Sequence, residues 1–290
     1  MERITKNNQT FMKDIVCIDL MSDFGFKKVF LNQRFIKHFL DAMLNKDVKD
    51  IRYLPTEHIG ETPWEKKSFF DICCRIDDED YIIEMQLEGD DNFKDRMRVY
   101  EAKHIVSQVH SGESYTLPII YVIAFVNFNF KPKLPKGKYL REVLECDVLN
   151  RQIFDDKVVR YFIEMPNFAL CEEDCVDVFS KWIYSIKNAK MCKEDKLPFT
   201  DDMVFKDLWS DVRFLNLTRE EQFAYLHEQW ARQDEIWQRN TERINWTKKG
   251  REEGAMNKAI ETAKNMKADG MSNELICKYT GLGLDIVESL

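Results

Sequence analysis

Apolar residues recur at helical spacing in some segments of the chain and at every second position in others. Residues 24–44 show the helical pattern, and the serine–aspartate pair in front of them offers candidate N-caps. Residues 68–76 and 81–88 show the alternating pattern on either side of the acidic segment 77–80. Two alternating runs around a polar turn predict a β-hairpin that follows the first helix.

The middle of the chain continues the alternation of helix and strand. A short extended piece at residues 51–59 precedes the hairpin, and residues 92–110 have the spacing of a second helix. Residues 117–126 are continuously apolar and rich in β-branched side chains, which is typical of a strand buried on both faces. Two more strands are predicted at residues 139–149 and 158–165. The order of elements predicts an α/β protein with a mixed sheet flanked by helices.

The C-terminal part differs in its pattern of apolar residues, which is helical throughout from residue 172 onward. Residues 223–251 predict a long polar helix, although its apolar positions are too irregular to specify a coiled coil. We therefore expect an α/β domain over residues 1–170 and a helical region over residues 171–290, made of the long helix and a short helical tail. A homodimer formed through the long helix is one expectation for this region.

Composition narrows the class of protein. The chain has 290 residues, 44% hydrophobic and 32% charged, so it can bury a sizeable core. A net charge of −8 argues against a protein that coats nucleic acid by bulk charge, but it leaves room for an enzyme with a local basic groove. The longest apolar run is too short for a membrane span, and the polar N-terminus lacks a secretory signal. We expect a cytoplasmic protein with no membrane partner.

The eight cysteines predict no metal site of their own. Cys171 and Cys175 are the only two near the spacing of zinc ligands, and no second Cys/His pair stands nearby. Reduced thiols are the favoured interpretation.

Candidate chemistry lies on the hairpin. Asp71 shares one face of the first strand with Cys73 and Arg75, and Glu84 alternates with apolar residues along the second strand together with Gln86. Two registers are open: Asp71 opposite Gln86, or, after a shift of two residues, Asp71 opposite Glu84. Either register gathers two carboxylates and an amide on one face.

Two adjacent carboxylates repel each other, and such a pair usually surrounds a cation. Hard oxygen ligands suit Mg²⁺ or Mn²⁺, which can polarise a phosphodiester and lower the pKa of an attacking water. Gln86 could orient that water. The alternative is a half-exposed hairpin with an ordinary polar face. The doubly buried strand at residues 117–126 argues against it, because acids on a covered sheet face need an explanation.

These segments resemble a known fold. The motifs Phe70-Asp71-Ile72 and Ile83-Glu84-Met85-Gln86, the segment 22–30 and the stretch 98–115 are similar to the PD-(D/E)XK nucleases. More narrowly, they resemble the Rpn family of bacterial recombination-promoting nucleases and transposases. The resemblance covers about the first 165 residues well and the helical part more loosely. It implies a restriction-endonuclease-like α-β-β-β-α-β core.

The resemblance also implies a function. Members are metal-dependent DNA endonucleases linked to recombination, mobile elements or phage defence. By this likeness Asp71 and Glu84 would bind the divalent metal, while Gln86 stands where most of the superfamily has lysine. The proline of the superfamily motif is absent, since Phe70 precedes Asp71.

Several basic residues are candidates for nucleic-acid contacts. Lys27 or Lys28 could offset phosphate charge or take the place of the missing lysine, and Arg98 could contact the DNA backbone together with Arg96 and Lys103. Solvated helix faces are the alternative for each of them. Asp23 is expected to be a helix cap rather than a third metal ligand.

Two other functions stay open. A catalytically inactive module could have kept the fold and bind DNA or a protein partner, an interpretation favoured by Gln86 and the acidic composition. Strand transfer is less favoured, because no three-carboxylate arrangement is evident.

Overall fold

The structure is a computed structural model, and it describes residues 15–58, 68–89, 92–109 and 116–290. Parts of the predicted extended piece and of the resembling stretch 98–115 fall outside these residues. The elements, in chain order, are α1 (Asp23–Phe30), α2 (Gln33–Leu44), β1 (Arg52–Tyr53), β2 (Glu57–His58), β3 (Ser68–Phe69), β4 (Ile72–Ile76), β5 (Glu79–Gln86), α3 (Phe93–Ser107), β6 (Ile120–Val126), β7 (Leu140–Cys146), β8 (Ile153–Glu164), α4 (Val178–Asn188), α5 (Met203–Val212), α6 (Arg219–Ala268), α7 (Asn273–Thr280) and α8 (Leu284–Ser289).

The first predicted helix is in fact two helices, α1 and α2. Asn32 interrupts the pattern, because its side chain accepts a hydrogen bond from the backbone N–H of Arg34 and so begins a new helix. Ser22 begins α1 in the same way by accepting from the N–H of Gly25. Gly25 permits a close approach here: a Cβ at this position would lie 2.1 Å from the carbonyl oxygen of Asp19.

A six-stranded mixed sheet forms the centre of the fold, in the order β1-β4-β5-β6-β8-β7. β5, β6 and β8 run parallel to one another, while β4 and β7 are antiparallel to their neighbours. Every residue of β6 is buried, which confirms the prediction of a strand covered on both faces. The predicted mixed α/β sheet flanked by helices is confirmed.

Helices cover the two faces of this sheet unequally. One face packs against α1, α2, α4 and α5 in a large aromatic core, in which the rings of Phe26 and Phe125 lie 5.4 Å apart between centroids. Trp182 of α4 and Trp209 of α5 are fully buried in the same core. The other face packs against α3 through a smaller cluster that includes Phe93 and Met97. The candidate carboxylates lie on the side that α3 covers.

Two compact units divide the chain at Met1–Glu228 and Gln229–Leu290. The second unit holds most of α6, which is longer than predicted, and a small core in which Ala263, Ile276 and Val287 are buried. The predicted short helical tail is present as the two helices α7 and α8. The domain boundary at residue 170 stays a prediction. Among the described residues, no helix combines the length and apolarity that crossing a membrane requires.

Candidate active site

The register of the β4–β5 hairpin decides how the two candidate carboxylates meet. Ile72 pairs with Ile83 in this hairpin, so the residue before β4, Asp71, lies across from Glu84. This is the second of the two registers open from the sequence. The connection is short because β5 already begins at Glu79, and Asp77 takes a positive φ of 53° that aspartate tolerates better than most residues.

Asp71 and Glu84 are tied together through the backbone. The N–H of Met85 donates to Oδ2 of Asp71 at 2.8 Å, and the N–H of Asp71 donates to Oε1 of Glu84 at 3.2 Å. Both side chains are half-buried. The hydrogen bonds fix the two carboxyl groups side by side where β4 begins and β5 ends.

A bend at Asp71 determines where its neighbour packs. The alternation predicts Phe70 on the same face as Ile72, but the structure places Phe70 in the cluster under α3. Its ring meets that of Tyr100 edge-on, with centroids 5.6 Å apart. The prediction was wrong because the strand pattern does not extend through the bend. Phe70 instead anchors Asp71 against α3.

The carboxyl pair is electrostatically unfavourable without a counter-charge. Burial and the negative charge of Asp71 raise the pKa of Glu84 well above its usual range. Burial also raises the pKa of Asp71, and Asp23 adds to this effect. A cation placed between the two groups would relieve both effects.

Three basic or amide groups surround the pair, and Gln86 is one of them. Its Oε1 accepts a hydrogen bond from a guanidinium nitrogen of Arg96 at 2.5 Å, while its Nε2 donates to the carbonyl of Glu88 at 2.9 Å. The positive charge of Arg96 also acts on Glu84 and lowers its pKa in part. Arg96 therefore links Gln86 to the carboxyl pair.

Lys27 of α1 approaches the carboxyl pair from the opposite side of the sheet. Its ammonium lies 2.7 Å from Oδ1 of Asp23, one turn earlier on α1, and its charge lowers the pKa of Asp71. Ser22, not Asp23, is the residue that caps α1 with its side chain. The structure thus brings Lys27 and Asp23 near the carboxyl pair.

Lys28 and Arg98 point elsewhere. Lys28 pairs with Glu221 of α6 at 2.5 Å, and Arg98 pairs with Asp95 at 3.3 Å beside a separate cavity. Neither side chain is part of the geometry around Asp71. Their contacts with nucleic acid stay predictions.

Tyr100 was missed as a site residue by the sequence reasoning, and Arg96 was considered only as a backbone contact. Burial raises the pKa of Tyr100, and the charges of Arg96, Glu84 and Asp71 act on its hydroxyl. Arg96 and Tyr100 are four residues apart on α3, so they share one helix face. That i, i+4 spacing was the signal available in the sequence.

The donor set near Asp71 is small. Among the described residues, no group of three or more His, Cys, Asp or Glu side chains is placed to hold a metal, and this includes the neighbourhood of Cys171 and Cys175. A metal at Asp71 and Glu84 would therefore have two protein carboxylates and would take its other ligands from water and substrate. Mg²⁺ is commonly held in this way.

A mixed sheet with this order of helices, and paired acids at the open end of its hairpin, defines the PD-(D/E)XK class of fold. The family model described as PD-(D/E)XK nuclease family transposase matches residues 20–242. The chain belongs to this family, which confirms the resemblance. No curated protein and no solved structure matches the chain.

Proposed function

We propose that this protein is an endodeoxyribonuclease that hydrolyses phosphodiester bonds with the help of Mg²⁺ or Mn²⁺. We place it in the cytoplasm, in recombination, the movement of mobile elements or phage defence. The observation that carries the proposal is the side-by-side arrangement of Asp71 and Glu84. Burial and the negative charge of Asp71 raise the pKa of Glu84, and the pair lies in a chain of a nuclease family.

The two carboxylates fit a hard divalent cation. Asp71 and Glu84 supply only oxygen donors, and burial alone makes their ionised forms costly without a counter-charge. When bound there, Mg²⁺ or Mn²⁺ would supply Lewis-acid polarisation of the phosphodiester and acidify a water.

The side chains of the chain itself would orient the reactants. The guanidinium of Arg96 acts on Glu84 through its charge, and a guanidinium binds phosphate oxygens in a bidentate manner. Gln86 has its orientation fixed by Arg96 and by the Glu88 carbonyl, so its oxygen can accept a hydrogen bond from a water beside Glu84. Lys27 would stabilise developing negative charge from the α1 side, in the role that lysine has in most of the superfamily.

The substrate we propose is DNA, although the chain has a net charge of −8. Nucleic acid binding needs local cations rather than a positive total, since phosphate contacts are made by individual Lys and Arg side chains. The basic residues of α3 and Lys27 of α1 are therefore the candidates for backbone contacts.

A plasmid-nicking assay tests the proposal directly. Purified protein is incubated with Mg²⁺, Mn²⁺, Ca²⁺ or EDTA, beside Asp71→Ala and Glu84→Ala. We expect cleavage with Mg²⁺ or Mn²⁺ and a loss of at least roughly a thousandfold in both variants, because charge stabilisation by a metal contributes several kcal/mol. The control is Asp78→Ala, which removes an exposed acid of the same hairpin. This variant should cleave DNA at the wild-type rate.

Cleavage that survives both alanine substitutions would mean that the site is elsewhere. A folded wild-type protein that cleaves with none of the metals would contradict the nuclease and favour the second candidate function.

That second candidate is a catalytically inactive module that binds DNA or a protein partner. The observation that favours it is the residue at position 86: a glutamine held by Arg96 cannot act as a charged catalytic lysine. Binding of a labelled duplex with equal affinity in EDTA and Mg²⁺, without cleavage, is the result expected of the module.

We also propose that two copies associate through α6. Trp230, Trp237 and Ile244 are exposed and follow one another at intervals of seven residues, which is the spacing of one coiled-coil position. In such a dimer, two sites could act on the two DNA strands. Light scattering should give a dimeric mass for the wild type and a monomeric mass for Trp237→Glu; a monomeric wild type at working concentration contradicts the proposal.

A further inference from the structure

A second concave site lies under the other side of α3, between this helix and strands β7 and β8. It is a cavity of about 420 Å³, within the range of cavities that hold small ligands. Nothing in the proposed chemistry at Asp71 uses it.

The floor of the cavity is aromatic and apolar. Phe130 and Phe162 line it with ring centroids 5.0 Å apart, beside Met97 and Val143. Both residues are 8% exposed, so each keeps a small accessible surface. Their rings meet edge-on, at 65° between the ring planes, and aromatic surface of this kind packs well against another planar ring.

Charge around the cavity is mainly positive, since five basic side chains and two acidic ones line it. The acids are Glu101 and Glu145. Glu101 is paired with Arg160 at 2.7 Å, and both residues of this ion pair line the cavity.

The remaining basic residues differ in how far they are neutralised. Arg141 is paired with the buried carboxylate of Glu164 at 2.8 Å, and Arg98 with Asp95. Lys94 and Lys131 are exposed, and in the described part of the chain no carboxylate forms an ion pair with either of them. Lys94 also lies 5.2 Å from the centre of the Phe130 ring.

The cavity and the carboxyl site share α3. Arg96 faces Gln86 and Glu84, while its neighbours Lys94 and Arg98 line the cavity. A helix with its side chains is about 10 Å across, which corresponds to roughly three nucleotide steps of 3.4 Å in a duplex. A strand bound at Asp71 could therefore reach the cavity within a few nucleotides.

We propose that this cavity binds one unpaired nucleotide of the substrate strand, with its base against Phe130 and Phe162 and its phosphate at Lys94 and Lys131. This inference rests on the proposed function, because the nucleotide would belong to the DNA strand that the protein cleaves. A free nucleotide has the same chemistry, a planar base with an anionic phosphate, and the experiment separates the two sources.

Fluorescence anisotropy with the full chain in Ca²⁺ measures binding separately from turnover. The probes are labelled single-stranded oligonucleotides in which one abasic position is moved along the strand, with nucleoside monophosphates as competitors. We expect one abasic position to weaken binding about tenfold, as loss of one stacked base does elsewhere. Phe130→Leu should remove this dependence on position.

The lysines are tested in the same assay. Lys94→Ala combined with Lys131→Ala should weaken binding about tenfold and flatten the salt dependence by about one phosphate contact. Lys206→Ala, an exposed lysine of α5, is the matched control and should bind like wild type.

The outcomes separate the two proposals. Binding of the strand with no dependence on abasic position, Phe130 or the two lysines overturns the cavity proposal and leaves the nuclease proposal standing. Binding of monophosphates that needs Lys94 and Lys131, with no binding of strands, supports the cavity as a nucleotide site and counts against DNA as substrate. Absence of binding by both probes overturns the cavity proposal.

Discussion

The two ends of the β4–β5 hairpin hold acidic residues in opposite electrostatic states. At the turn end, Asp80 is fully buried and accepts hydrogen bonds from Arg75 at 2.6 and 2.9 Å. His104 of α3 lies 2.8 Å from the same carboxylate. At the open end, Asp71 and Glu84 face each other, and the cations around them do not offset their burial.

The pKa values of the acids at the two ends are shifted in opposite directions, because their partners differ. Burial alone would raise the pKa of Asp80, but hydrogen bonds from His104 and Arg75 outweigh it and hold that pKa below its usual value. Burial raises the pKa of Glu84 and that of Asp71. An acid that is fully compensated within the fold stabilises the fold. An acid pair left without compensation is available for an external cation, which is why we assign function to the open end.

The largest effect on stability is expected from Asp80→Asn. Removing the charge leaves the guanidinium of Arg75 without the buried carboxylate that it pairs with, and breaking one side of a buried ion pair costs about 3 kcal/mol or more of unfolding free energy. Chemical denaturation with urea at pH 7 measures this loss. The rate of DNA cleavage per folded molecule should stay as in the wild type.

Asp78→Asn, at an exposed position of the same turn, should change stability by less than about 0.5 kcal/mol.

The stabilisation that Asp80 contributes also depends on pH, and its sign is definite. Because the folded pKa of Asp80 is lowered, its stabilisation is present above the unfolded value and is lost as pH falls through the folded value. An Asp80→Asn variant as stable as wild type would remove the distinction between the two ends of the hairpin.

A smaller effect is expected from Lys27, the cation that α1 contributes to the open end. Lys27→Ala should lower the rate of metal-dependent cleavage about tenfold, because it removes a positive charge that acts on Asp71 while leaving the proposed metal ligands in place. Single-turnover kinetics with plasmid DNA measures the change. Lys27→Arg should recover part of the rate.

Lys28→Ala serves as the neighbouring control, since this lysine pairs with Glu221 away from Asp71. Its cleavage rate should stay within about twofold of wild type, because a partly exposed ion pair contributes little. Equal losses in the two variants would show that α1 acts through general electrostatics or stability and not through Lys27.

The smallest effect is a gain of stability in Glu84→Gln when metal is absent. Because the folded pKa of Glu84 is raised, the folded state binds more protons than the unfolded state above pH of about 4, and its stability falls as pH rises. The amide removes this loss, so we expect a gain of about 1 kcal/mol at neutral pH in EDTA, or a few degrees in Tm. Thermal unfolding at several pH values measures it.

Asp156→Asn, an exposed acid of β8, should show no comparable gain. Addition of Mg²⁺ should raise the Tm of the wild type and not that of Glu84→Gln, because only the intact pair binds the cation. A Glu84→Gln variant less stable than wild type in EDTA at neutral pH would contradict the assignment of an uncompensated pair.

Much of the fold could be predicted because it depends on local periodicity. Alternation with a period of two identified the hairpin and placed Glu84 and Gln86 on one face, and the continuous apolar run identified β6. The first predicted helix was divided into α1 and α2 by a single capping side chain, Asn32. Capping of this kind is local, but an asparagine within an amphipathic pattern gives only a weak signal.

The sequence by itself determined the α/β class, the hairpin and the pair Asp71 and Glu84 as candidates, since side-chain direction in a strand follows from neighbours along the chain. Only the tertiary structure decided between the two registers and turned Phe70 toward α3. It also buried Asp80, which the sequence had placed in a polar turn, and brought Arg96 and Lys27 from two helices to one site. Those outcomes depend on contacts between residues far apart in the chain, and no pattern within a single segment encodes them.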